Sequence, residues 1–212
     1  MIRDLRSIGF TMEQIREYLE HHTVSSSLSM LEDEKEAITK QMQHLQKLQK
    51  NVEHRLNTIH SAFSLPLDEI HLMTLPPRHC HRLSERYKHE EEMDFLMKQL
   101  INLNQNRLYI IGSNQMGTMI SLPSLLKKKT LSYQSVFLID EEGADLIDGG
   151  DYLCVTYRGN YEQSAYWGQQ LAQYAHAHKF KIRGDLLEIL WIDIHTTSDE
   201  SEYITQLQLP IA

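Results

Sequence analysis

The chain has 212 residues, 41% hydrophobic and 24% charged, a balance that fits a folded soluble protein of one large or two modest domains. Its 21 Lys and Arg against 29 Asp and Glu leave a formal charge of −8, which argues against a direct nucleic-acid binder and suits a cationic ligand. No apolar run reaches the ~18 residues of a membrane span, and "MIRDLRSIGF" lacks the apolar stretch of a secretory signal. Cys80 and Cys154 supply no disulfide framework, so a reducing cytoplasm is expected.

Residues 1–22 read as two short helices. Ile2, Leu5 and Ile8 form an apolar stripe ending near Gly9, and Thr11 with Gln14 makes a capping-box pattern ahead of Ile15 and Leu19. A pair this small must pack on something else. After the polar break 21–27, Ser27 or Ser29 is the expected cap of a long helix. Residues 28–60 contain no Pro or Gly, and Leu28, Leu31, Ile38, Met42, Leu45, Val52, Leu56 and Ile59 fall in one heptad register, interrupted by Lys35 and Gln49. That register predicts a coiled-coil dimerisation helix over 23–61, forming a homodimer through 28–60; the alternative is a long helix lying on its own domain.

Pro66 marks a boundary, and residues 66–212 read as an α+β domain. Strands are expected at 69–74 and 79–83, a helix at 90–103, and strands at 108–111 and 135–139 around a loop carrying Lys127, Lys128 and Lys129. Strands at 144–147 and in "GGDYLCVTYRG", a helix at 162–178, and strands at 186–194 and 203–211 complete the chain. "LSERY" (83–87) precedes the first of these helices much as "YRGNY" (157–161) precedes the second, which suggests two repeated halves around a cleft.

"RHCHR" places His79 and His81 on one strand face and Cys80 on the other, without the second ligand pair that a zinc site recruits, so no metal is expected. No GxSxG, P-loop, GxGxxG or HExxH motif is present. Glu188 stands out instead: a carboxylate in the apolar run "GDLLEILWIDIH" costs several kcal/mol unless it finds a partner. Tyr152, Tyr157, Tyr161, Tyr166, Trp167, Trp191 and Tyr203 crowd the same half of the chain. A carboxylate ringed by aromatic faces suits an organic cation; the alternative on residues alone is an ion pair with Arg158 or Arg183.

"RDLRSIGFTMEQIREYL" (3–19) resembles the helical pair that follows the winged helix-turn-helix of MerR-family transcription regulators, where it leads into an antiparallel coiled-coil dimer helix. The remainder resembles the GyrI-like effector-binding domain of the BmrR-like branch, through "LPPR" (75–78), "GGDYLCVTYRGNY" (149–161), "GDLLEILWIDIH" (184–195) and "EYITQLQLPI" (202–211). The resemblance implies a pseudo-symmetric, two-half β/α ligand-binding domain with no cofactor. Glu188 would lie at the base of its cleft and neutralise hydrophobic cationic small molecules, with Tyr203, Tyr161, Tyr152, Tyr87 and Trp191 as aromatic contacts. Promoter DNA would be reached only through an N-terminal domain absent from this chain, leaving 1–22 as the remnant helical pair. The function implied is the effector-binding and dimerisation region of a multidrug-responsive regulator rather than an enzyme. The alternative is a small-molecule hydrolase with Glu188 as general base, or a stand-alone drug-binding protein of the GyrI-like type.

Overall fold

The computed structural model describes residues 6, 10–20, 23–87, 90–103, 115–126 and 131–212. Most of the expected first helix, the strand expected at 108–111 and the basic run at 127–129 lie outside the described residues. Two compact units make up the chain, Met1–Glu53 and His54–Ala212.

In the first unit, helix α1 (Met12–Glu20) starts after Thr11, whose carbonyl accepts from Ile15 N (3.1 Å), and Ile15 is buried. Helix α2 (Val24–Ser64) has 41 residues. Its first turn is closed by a reciprocal box, in which Ser26 N donates to Thr23 Oγ1 (3.1 Å) and Thr23 N donates to Ser26 Oγ (2.7 Å). The cap is therefore Thr23, not Ser27 or Ser29, because Thr23-x-x-Ser26 offers both partners one turn earlier. Leu28, Leu31, Ile38, Met42, Leu45, Val52 and Leu56 are all exposed along α2.

The second unit is built on one eight-stranded antiparallel sheet. Its strands are β1 (His71–Leu75), β2 (Arg78–Leu83), β3 (Met116–Ile120), β4 (Tyr133–Ile139), β5 (Asp145–Ile147), β6 (Gly150–Arg158), β7 (Leu186–Ile192) and β8 (Ile204–Pro210). They lie in the order β1-β6-β8-β7-β3-β4-β2-β5. Helix α3 (Glu90–Leu103) follows β2, the short α4 (Leu122–Leu126) follows β3, and α5 (Gln163–Ala177) follows β6. Chain order is thus strand, helix, strand, strand in β6–α5–β7–β8 and, apart from the short α4 between its last two strands, in β2–α3–β3–β4. In each set the last strand lies between the other two, and the two sets meet where β3 pairs with β7.

The segment expected as a loop between 111 and 135 instead supplies β3 and α4. Gly117 and Thr118 break the apolar run of this five-residue strand, which hides it from a periodicity argument. A Cβ on Gly117 would lie 2.5 Å from the Glu188 carbonyl oxygen, so the glycine is what lets β3 approach β7.

Helices α3 and α5 cover one face of the sheet. Leu96, Met97 and Leu100 of α3 and Leu171 and Ala175 of α5 pack there with Val136, Val155, Leu186 and Leu207. Phe95 and Leu103, apolar in the sequence pattern, fall on the outer side of α3 and are exposed. Cys80, Phe137, Tyr152, Cys154, Leu187 and Ile189 form a separate cluster on the other face. The last turns of α2 belong to this unit: Ala62 is buried against Ile192 and Ile204, and Arg55 Nη2 donates to the His195 carbonyl (3.1 Å).

Candidate functional site

Glu188 sits mid-strand in β7, only 1% exposed, on the face covered by the helices. Its register partner on β3 is Thr118, whose Oγ1 donates to Glu188 Oε2 at 2.8 Å. From the helix side, Ser164 Oγ donates to Glu188 Oε1. Ser164 is in the first turn of α5 and one turn ahead of Gly168, where a Cβ would meet Leu125 and Leu186 at 2.7 and 2.9 Å. Two small residues at i and i+4 let α5 settle against β7 and bring the serine hydroxyl to the carboxylate. Tyr157 from β6 closes the chain, with its hydroxyl 2.6 Å from Ser164 Oγ. Since Ser164 has one proton and gives it to Glu188, the order of donation is Tyr157 to Ser164 to Glu188.

Two stacked tyrosine pairs flank this relay. Tyr87, ahead of α3, stacks on Tyr133 with centroids 4.7 Å apart and planes 6° from parallel. Tyr161, ahead of α5, stacks on Tyr203 at 5.4 Å and 28°. All four rings are buried. Burial pushes the Tyr87 hydroxyl's pKa up, and the charge of Glu188 raises it further. For Tyr161 the upward shift comes from burial, then Asp193, then Glu188. Both hydroxyls therefore lie within the field of the carboxylate, and both are buried without a hydrogen-bond partner among the described residues. Tyr87 OH lies beside Thr118 but outside hydrogen-bond geometry. Leaving a buried donor unpaired costs about 1–3 kcal/mol, which sets these two hydroxyls apart from the rest of the core.

Asp193, just beyond β7, is a second buried carboxylate at 6% exposure. Its Oδ1 accepts from His195 N at 3.1 Å, and desolvation raises its pKa above the usual carboxylate range. The sequence pattern does not single out Asp193, Thr118, Ser164 or Tyr133 as members of this site, and it counts Tyr157 only among the aromatics of that half of the chain.

Glu188, Tyr87, Tyr161 and Tyr203 of the expected set come together; Tyr152 and Trp191 do not join them. Tyr152 packs with Leu187 and Ile189 on the opposite face of the sheet. Trp191, at the irregularity between Leu190 and Ile192, packs against that cluster and against Ala62 and Ile192. Strand alternation is the reason, since 152 and 157, like 188 and 191, are an odd number of residues apart. The two arginines considered as partners for Glu188 are engaged elsewhere: Arg158 lies over the Phe63 ring, and Arg183 Nε donates to the Ile211 carbonyl. In "RHCHR", Cys80 is fully buried, His79 Nδ1 contacts the Gly143 carbonyl, and no metal-type cluster occurs among the described residues.

The family model described as "MerR, DNA binding" covers the helical N-terminal region. Residues 1–55 match the MerR DNA-binding family. The solved EcmrR–DNA complex in EcmrR-RPo is similar to this chain at TM-score 0.58 and 16% identity, over 99% of this chain and 80% of that one. The crystal structure of the EcmrR C-terminal domain is similar at TM-score 0.52 and 15% identity, over 68% of this chain and 97% of that one. No curated protein matches the sequence. The MerR-type segment thus leads into a helix-and-antiparallel-sheet domain with the fold of the EcmrR C-terminal domain, in agreement with a GyrI-like α+β fold.

Proposed function

We propose that the chain is the effector-binding and dimerisation region of a MerR-type transcription regulator, and that its effector is a lipophilic organic cation neutralised by Glu188. The observation that carries this reading is a carboxylate buried at 1% exposure, held by hydroxyls and flanked by two tyrosine pairs. Hydroxyl partners hold the carboxylate in place. A cation entering between Tyr87 and Tyr161 would gain an ion pair strengthened by low dielectric, contact with ring faces, and two waiting hydroxyls. The matched strand sets, read as pseudo-symmetric halves that meet where β3 pairs with β7, support a cleft at their junction. The MerR match over 1–55 and the fold shared with EcmrR, which is seen in a DNA complex, support the regulatory part. The exposed stripe on α2 supports pairing of two copies as a coiled coil.

The test is titration with tetraphenylphosphonium, and with a rhodamine dye followed by fluorescence, on the wild type and Glu188→Gln. Glu188→Gln keeps the shape and removes the charge, so affinity should fall at least about tenfold, or ~1.4 kcal/mol. Equal affinity in the two proteins would refute the counter-ion role, and turnover of either probe would favour a hydrolase. Sedimentation of the wild type and Leu45→Asp checks the dimer: a wild type that stays monomeric at all concentrations would refute it.

A further inference from the structure

The sheet face opposite Glu188 carries a second concentration of charge. Alternation on β2 puts Arg78 and Arg82 on the same side as buried Cys80, whose thiol lies in the field of both guanidiniums. Arg78 stands 5.9 Å from the centroid of the Tyr152 ring and opens a buried polar ladder. Its Nη2 donates to Gln208 Oε1 (2.8 Å), Gln208 Nε2 to Gln206 Oε1 (2.7 Å), and Gln206 Nε2 to Thr156 Oγ1 (3.3 Å). Beside the ladder is a cavity of about 180 Å³, walled by Arg82, Arg183 and Tyr152 with apolar surface from Met119, Leu187 and Pro210. The Arg183 guanidinium lies over Gly150, where a Cβ would come within 2.6 Å of it.

Three cations therefore converge in a chain whose formal charge is −8. Among the described residues, none of Arg78, Arg82 and Arg183 forms an ion pair. Two acids border the cavity, but Asp185 Oδ1 accepts from Leu122 N (2.9 Å) and Asp148 is exposed. Arg78 and Arg82 each keep a buried Nε without a partner. The guanidinium fork matches a planar oxyanion, and burial among apolar groups makes such a pairing stronger than at an open surface. The volume is below the ~300–1,000 Å³ of drug-sized pockets, which limits the occupant to a small molecule.

We propose that this cavity binds a small organic carboxylate, with its oxygens on Arg82 and Arg183 and its carbon body against Tyr152, Met119 and Leu187. This second ligand site is independent of the cation site, because the two occupy opposite faces of the sheet. The test is calorimetric titration at low salt with benzoate and, separately, with inorganic phosphate. Benzoate should bind saturably with one site per chain, and Arg183→Gln and Arg82→Gln should each weaken it at least about tenfold. Glu188→Gln should leave benzoate binding unchanged. Arg82 also holds the Leu146 carbonyl (3.3 Å), so the exposed Arg183 is the variant that decides if Arg82→Gln fails to fold. Absence of saturable binding at millimolar benzoate, or equal affinity in Arg183→Gln, would overturn the proposal. Phosphate binding in place of benzoate would overturn the organic-acid assignment.

Discussion

Ser164→Ala tests the physical account of how Glu188 is held. The substitution removes one methylene-bound hydroxyl and keeps the helix, since alanine is the better helix former. Two partners lose by it. Glu188 gives up a hydrogen bond to a charged acceptor, worth about 1.5–3 kcal/mol. Tyr157, fully buried, gives up its hydrogen bond to the oxygen 2.6 Å from its hydroxyl, at a further ~0.5–1.5 kcal/mol. Together the loss is roughly 2–4.5 kcal/mol, a large share of the ~5–15 kcal/mol that holds a domain folded. Urea unfolding monitored by circular dichroism measures it directly. Tyr157→Phe in the Ser164→Ala background should recover part of the loss, because it also removes the hydroxyl that Ser164 had bonded. A Ser164→Ala cost below about 1 kcal/mol, with no recovery in the double variant, would refute the relay.

Gly117→Ala should destabilise the second unit by more than about 2 kcal/mol and weaken cation binding, because the new Cβ would clash with the backbone that carries Glu188; thermal melting and dye titration read the two effects. Asp193 has a raised folded pKa, so its favourable contribution is complete only below the ordinary Asp value of ~3.9 and is lost as pH rises through the folded value. Asp193→Asn, which can still accept from His195 N, should therefore be more stable than the wild type at neutral pH, with the gap closing in urea midpoints as pH falls toward the ordinary Asp value of ~3.9. Burial pushes the Cys154 thiol up to about 12 and raises Cys80 as well. Neither should react with a thiol reagent at neutral pH until urea unfolds the chain, and rapid native labelling would contradict the packing of that sheet face.

Long periodic segments were legible from sequence, and short irregular ones were not. The helix at 90–103 and the apolar strand around Glu188 announce themselves through their patterns, and Glu188 is conspicuous because a charge interrupts an apolar run. Strand β3 escapes because "MGTMI" contains a glycine and a threonine within five residues. With β3 hidden, Thr118 could not be seen as the cross-strand partner of Glu188. Ser164 looks like an ordinary residue of a helix's first turn, and only the close approach permitted by Gly168 turns it toward the sheet. The grouping of Tyr152 and Trp191 with Glu188 went wrong for a different reason. Counting aromatics near a carboxylate ignores strand parity, whereas alternation already separates 152 from 157 and 191 from 188.

Strand β7 connects the chemistry of the site to the last turns of α2. Glu188 occupies its middle, Ile192 at its end packs against Ala62 of α2, and the segment that follows carries Asp193 and the His195 carbonyl bound by Arg55. The charge of Asp193 also reaches Tyr161, which stands in the field of Glu188. A bound cation at Glu188 would relieve the electrostatic burden on this pair of carboxylates, and the relief is delivered to the same strand against which α2 is anchored. An effector can shift a helix arrangement only by its different affinity for two states. The contacts of Ile192, Asp193 and His195 with that helix are where such a difference would act in this fold. A rearrangement that left those contacts unchanged would have no route from Glu188 to α2 through β7.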